Sequence, residues 1–276
     1  MRTQIFAGAA LAVLVVVTAV GCSTTTEQGT VGVNRSQLLL VSSADMDKAA
    51  ASQYQQLIQG EKPKGNVNQD PKQVERVRGI ANRLIPQTAV FRKDALEWHW
   101  EVNVLTSSEV NAWCMPGGKI AVYTGLIEKL QITDDELAAV MGHEISHALR
   151  EHGRERASEQ LAANAGATLL GEAANIFLGT GQTGTDLAGT VTQVTFLLPY
   201  SRVHETEADR MGVELAARAG YDPRAAITLW QKMGKLGGSK PPELLSTHPS
   251  DETRMKDLAD YSQRVMPLYE QARAKS

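Results

Sequence analysis

The sequence predicts an α+β domain that is mostly helical, with a small antiparallel sheet beside its central helix. Three observations lead there. Residues 133–156, TDDELAAVMGHEISHALREHGRER, read as one amphipathic helix: Thr133 and Glu136 make a capping box, and Asp134 and Asp135 suit the helix dipole. Leu137, Val140, Met141, Ile145 and Ala148 recur along one stripe of it. Further helical stripes lie before and after, whereas strand patterns are confined to residues 98–105, 112–115 and 119–123.

Taken in order, the chain opens on Met1-Arg2, an apolar run from Ile5 to Val20, and Gly21-Cys22-Ser23. Residues 1–21 therefore read as a signal peptide of the lipoprotein type, too soon interrupted for a membrane span. Ala19-Val20-Gly21-Cys22 resembles a bacterial lipobox, which marks Cys22 for lipidation, and Ser23 after it favours the outer membrane. The alternative is an uncleaved anchor with an incidental Cys22. Residues 22–41 are then a lipidated N-terminus and tether, because STTTEQGTVGVNR (23–35) is small, polar and aperiodic. The folded domain spans 42–276. A net charge of −3, from 28 Lys+Arg against 31 Asp+Glu, offers nothing to nucleic acid. With Cys22 lipidated, Cys114 has no partner, so an exported domain must stand without disulfides.

A helix is expected from Ser42 or Ser43 to about Gln59, and a second from Asp70-Pro71, with Asp70 as N-cap and Val74, Val77, Ile80 and Leu84 as its buried stripe. Trp98, Trp100, Val102 and Val104 alternate with polar neighbours as in a half-buried strand. Ala112 to Met115 turns through Pro116-Gly117-Gly118 into Lys119 to Tyr123, and a short helix starts near Thr124. Such an edge strand can hold an extended peptide backbone by strand addition, which would make Asn111, Ala112, Trp113, Cys114 and Met115 a substrate strand; a plain structural hairpin fits the spacing equally well. Cys114 reads as a small buried hydrophobe.

After the central helix, Ala157 to Leu178 is Ala/Leu-rich but charged, and Gly179 to Gly184 breaks it before a second apolar segment toward Leu198. These form a helical hairpin, either a lid over a cleft or a rigid support. Residues 201–220 make a helix, Asp222-Pro223 caps another carrying Ile227, Trp230, Met233 and Leu236, and a last helix starts near Ser250.

The chemistry sits at His143-Glu144-Ile145-Ser146-His147. Two imidazoles one helical turn apart can share one zinc ion, and Glu144 between them can reach a water on that ion as general base. Glu205 and Asp209, four apart on one face, can supply a third ligand and a carboxylate that fixes a ligand imidazole; Glu207, about 200° round from Glu205, points elsewhere. His204 is left as a surface or supporting residue. His99 and His152 are assigned to structure, His152 because it lies about 140° from His147 on a continuous helix. By spacing alone, His248 is a solvated loop histidine.

Together, His143-Glu144-Ile145-Ser146-His147, Ser201-Arg202 leading into Glu205-Thr206-Glu207-Ala208-Asp209-Arg210, and Thr247-His248-Pro249 before Arg254 resemble the zinc peptidase family of HtpX and the CAAX prenyl endopeptidases. Asn111-Ala112-Trp113 with Pro116-Gly117-Gly118 is similar to that family's edge-strand motif. The resemblance covers roughly residues 70–260 and implies a gluzincin-like fold and endopeptidase activity. It implies His143, His147 and Glu205 as ligands of one zinc, Glu144 as catalytic base, and Asp209 as an imidazole partner. His248 then either stabilises the oxyanion or occupies the open metal position in a latent state. The multiple membrane spans of some members are missing, so the layout is closest to the compact lipoprotein members. The expected protein is a lipid-anchored endopeptidase at the periplasmic side of the outer membrane, cutting unfolded or misassembled envelope proteins, with the envelope assembly machinery a candidate partner. Two alternatives stay open: a zinc-stabilised chaperone plugged by His248, and a zinc hydrolase of another amide or ester.

Overall fold

The computed structural model describes residues 22–170, 189–197, 199–236, 242–249 and 252–275. The signal-peptide reading of residues 1–21 and the middle of the expected hairpin, 171–188, lie outside the described residues. Among the described residues, no helix is long and apolar enough to cross a membrane.

Helix α1, Ser43–Glu61, starts where Ser42 caps the amide of Asp45, and buries Met46, Ala49, Ala50, Tyr54 and Ile58. Helix α2, Pro71–Leu84, follows its expected cap: the Asp70 carboxylate accepts from Lys72 and Gln73, with Pro71 in the first turn, where its missing N–H costs nothing. The chain then runs through two 3₁₀ segments, Ile85–Val90 and Lys93–Glu97, into strand β3, Glu101–Leu105. Trp98 and Trp100 precede that strand, so the expected 98–105 strand is shorter by three residues at its start.

Strands β4 (Ala112–Met115) and β5 (Lys119–Tyr123) complete a sheet of order β3-β5-β4. It is mixed, not antiparallel as expected: β4 is antiparallel to β5, but β3 is parallel to it, pairing Val102 with Ile120 and Val104 with Val122. Alternation marks which face a residue occupies but not strand direction, and the 106–111 connection carries the chain across to the far side of β5. At the β4–β5 turn Gly118 has φ +79°, and a Cβ there would stand 2.6 Å from the Trp100 ring. Ala112, Cys114, Ile120 and Val122 face the main core, while Trp113, Met115 and Ala121 face α1, so the sheet is buried on both sides.

After α3 (Thr124–Lys129) comes the central helix α4, Asp134–Leu149, with both halves of the capping box formed. It is buried around nearly its whole circumference from Glu136 onward, more than one stripe implies. Leu137, Val140, Met141 and Ile145 are inside the core, each worth about 1.5–3 kcal/mol of burial. The helix does not continue to residue 156. It stops at Leu149; Glu151 takes φ +51° and a new helix, α5 (His152–Leu170), leaves in another direction. Arg150 at the break is fully buried and donates to Thr24 Oγ1 and the Arg35 carbonyl. These contacts hold a left-handed residue that sequence period alone does not reveal.

Beyond a short helical stretch at 189–192 that runs into a π-helical turn, Gln193–Leu197, the described residues form α6 (Arg202–Arg218), capped by Ser201, α7 (Ala225–Lys235), α8 (Glu243–Thr247) and α9 (Glu252–Arg273). Helices α2, α4, α6, α7 and α9 enclose the main core.

The reading of residues 23–35 as a flexible tether is overturned. Cys22–Ser23 (β1) pairs antiparallel with Gln37–Leu38 (β2), and Val31 and Val33 enter the main core. The amides of Thr30 and Val31 donate to Glu214 Oε2 at 2.8 and 3.0 Å, and Gln37 Nε2 donates to the Arg150 carbonyl at 2.7 Å. A small, polar composition conceals this because the segment is held by buried polar partners on distant helices.

Candidate active site

Helix α4 turns His143, Glu144 and His147 inward, all three buried. Helix α6 crosses it so closely that two glycines meet: a Cβ on Gly212 would lie 2.8 Å from the His143 amide nitrogen, and one on Gly142 would lie 2.9 Å from the Gly212 carbonyl. That approach delivers Glu205, whose Oε2 is 3.5 Å from His143 Nε2 and Oε1 3.4 Å from His147 Nε2. The two imidazole Nε2 atoms are 3.1 Å apart. His248, buried just past α8, completes the group, with Nδ1 2.9 Å from Glu205 Oε1 and 3.2 Å from His143 Nε2. One donor atom from each of these four residues falls within 4.8 Å of the others, so the cluster could hold a metal ion. Imidazoles and a carboxylate converging away from solvent are the donor set that suits zinc. Glu144 stands beside it, Oε1 3.5 Å from His248 Nε2 and accepting no hydrogen bond from a described residue.

A second layer orients these side chains. Asp209, one turn on from Glu205, sits with Oδ1 3.0 Å from His143 Nδ1. Arg254 from α9 grips both Asp209 oxygens at 2.8 Å and comes within 2.7 Å of Glu205 Oε2. His147 has a different partner. His152 Nδ1 lies 2.9 Å from His147 Nδ1, and its Nε2 lies 3.0 Å from Glu207 Oε2. The 140° argument against His152 fails because the two residues are on different helices. His204 is not at the surface: it is buried, stacked on His152 with centroids 4.5 Å apart, with Nε2 3.1 Å from Glu155 Oε2. Glu207 does point away from the Glu205 face, toward Arg150 and Arg35.

Against this geometry, the family model of peptidase family M48 matches residues 71–262. The chain belongs to peptidase family M48. Its M48 region is 40% identical over 177 residues to the mitochondrial metalloendopeptidase OMA1 of Arabidopsis thaliana, a match covering 63% of this chain and 34% of that protein. The Bos taurus metalloendopeptidase OMA1 is 37% identical over 186 residues, 62% of this chain and 33% of that one. The beta-barrel assembly-enhancing protease of Escherichia coli K12 is 28% identical over 229 residues, 79% of this chain and 44% of that one. The matches thus span from about a third to under half of these relatives' lengths. M48 peptidases depend on zinc, and the donor set found here fits that ion.

In this M48 chain β4 is an edge strand, as a substrate strand requires, and it runs beside the metal cluster. Asn111, Ala112, Trp113 and Cys114 line a cavity with Glu144, Thr195, Tyr200, Thr247 and His248. Its volume is only about 10 Å³, room for about one water. Thr195 and Tyr200 bring the chain that follows α5 against it. Val191 and Val194 are buried, Arg156 donates to the Val194 carbonyl at 2.7 Å, and the Tyr200 amide donates to the Thr247 carbonyl at 2.8 Å. The Tyr200 ring stacks on His248, centroids 5.1 Å apart, and lies 4.1 Å from the His147 ring. Tyr200 and Arg156 gave no signal in the sequence, since their roles depend on how the chain returns after α5. Met115 is fully buried and takes no part in the cavity lining, so only residues 111–114 of the expected strand reach it. Cys114 is a buried free thiol, its pKa pushed well up by burial, as expected of a structural residue.

Burial pushes the His143 pKa down, but Asp209 and Glu205 outweigh it and raise it to about 10. For His147 burial wins, and the pKa falls well below the ordinary imidazole value. Zinc binding at His143 must therefore displace a proton.

Proposed function

We propose that the chain is a zinc-dependent metalloendopeptidase of the bacterial envelope that hydrolyses unfolded or misassembled proteins. The observation that carries the reading is the convergence of His143, His147 and Glu205 on one point, with the Glu144 carboxylate beside it, its Oε1 accepting no hydrogen bond from a described residue. His143, His147 and Glu205 would hold zinc, which when bound would supply Lewis acidity and an acidified water. Glu144 takes the proton of the water attacking the scissile carbonyl and passes it to the leaving amide nitrogen as the C–N bond breaks. Its pKa, raised by burial, suits a group that must accept and then release a proton. Asp209 fixes the His143 ring, Asn111–Cys114 receive the substrate backbone, and His248 is a latch that must move for substrate to enter.

The similarity to a beta-barrel assembly-enhancing protease supports an envelope quality-control role, with the assembly machinery as a partner. The signal-peptide and lipobox reading supports lipid on Cys22 and a place at the periplasmic face of the outer membrane. Because residues 23–37 are packed, such an anchor would hold the domain close to the bilayer. The test is casein cleavage by zinc-loaded protein beside Glu144→Gln with equal zinc content. Loss of a general base lowers turnover by about 10²–10⁴-fold; equal cleavage by the two would sink the assignment.

A further inference from the structure

His147 presents Nε2 to the metal cluster, so its Nδ1 must face away, and what it meets there is another imidazole, His152 Nδ1 at 2.9 Å. A histidine that binds zinc through Nε2 carries its proton on Nδ1 and can only donate from it. His152 Nδ1 is then the acceptor, which puts the His152 proton on Nε2, 3.0 Å from Glu207 Oε2. The donor sense is thus fixed from one end to the other: His147 to His152 to Glu207. Glu207 is itself clamped by two guanidinium groups, Arg150 from the α4–α5 break and Arg35 from the N-terminal segment, with Arg35 Nε 3.0 Å from Glu207 Oε1. Arg35 also donates to both oxygens of Glu155, which in turn meets His204, the residue stacked on His152.

We propose that His152 is a positioning residue for the zinc site, the middle of a His147–His152–Glu207 relay that the N-terminal segment anchors through Arg35. It does for His147 what Asp209 does directly for His143: it fixes the tautomer and ring orientation and raises the basicity of Nε2. This rests on the reading of His147 as a zinc ligand. It also gives residues 24–37 a part in the metal site, although they precede the family-matched region 71–262.

The test measures zinc affinity of the full-length protein by competition with a chromophoric chelator, with circular dichroism to confirm folding. His152→Phe keeps a ring but removes the acceptor and should weaken zinc binding by about 10–100-fold, the usual effect of losing such a partner. His152→Asn returns an acceptor oxygen near the Nδ1 position and should recover most of that loss, which a purely packing role does not predict. Affinity within twofold of wild type in a folded His152→Phe protein overturns the relay. If that variant does not fold, Glu207→Gln and Arg35→Ala decide: several-fold weaker binding in both supports the relay, and unchanged affinity in both overturns it. A wild-type protein that takes up no zinc overturns the zinc reading itself and the relay with it, an outcome distinct from wild-type uptake with indifferent variants.

Discussion

Glu144 and Glu205 are buried carboxylates of one site whose proton affinities are driven in opposite directions. Burial raises Glu144, and the histidines near it offset that only in part. Burial raises Glu205 as well, but His248, His143 and His147 outweigh it and hold the carboxylate well below its ordinary range. The separation suits two roles, one group that exchanges protons and one that stays anionic to bind a cation. His248 touches both, 2.9 Å from Glu205 and 3.5 Å from Glu144. As a latch it competes with substrate, so His248→Ala should raise basal casein cleavage several-fold; a fall would recast it as a transition-state stabiliser. Spacing was enough to find His143, Glu144, His147, Glu205 and Asp209, because all are set by the 3.6-residue period within single helices. It misplaced His152 and left His204 undecided between surface and support, because their partners lie across an element boundary.

At the scale of elements, the site is made by the crossing of α4 and α6. Gly142 and Gly212 let the two backbones touch beside His143, and no side chain fits between them. Gly212→Ala should force the helices apart by a few tenths of an ångström or more and cost about 1–3 kcal/mol of stability. It should also weaken zinc binding, because Glu205 and the two histidines are carried on opposite sides of that crossing. A variant with native Tm and native zinc affinity would show that the crossing does not set the geometry. The break at Arg150-Glu151 matters as much. Were the helix to continue to residue 156, His152 would face away from His147. The mixed sheet has an origin of the same kind: elements were legible one by one, but their relative directions were not.

Over the whole molecule, residues far apart in sequence converge on one small volume: His143 and His147, Glu205, His248 and Arg254, supported by Asp209 and, from the other end of the chain, Arg35. A ligand that joins α4, α6 and the α8–α9 connection should act on global stability. Zinc at about 100 times its dissociation constant adds about 2.7 kcal/mol, so chelation should lower Tm by several degrees. Since free His143 is held protonated by Asp209 and Glu205, with a pKa raised to about 10, zinc must displace that proton, and the stabilisation should shrink as pH falls. A Tm indifferent to chelator at every pH would argue against a zinc site joining these elements. The sequence by itself determined the helical class, the capped central helix, the HExxH pair with Glu205 as its candidate companion, and the family resemblance, because each depends on spacing within one element or on a motif read in order. Only the tertiary structure decided that residues 23–35 are packed, that β3 runs parallel to β5, that Thr195 and Tyr200 line the cavity beside Glu144 and that His152 meets His147. Those features arise from contacts between segments distant along the chain, and no local period encodes them.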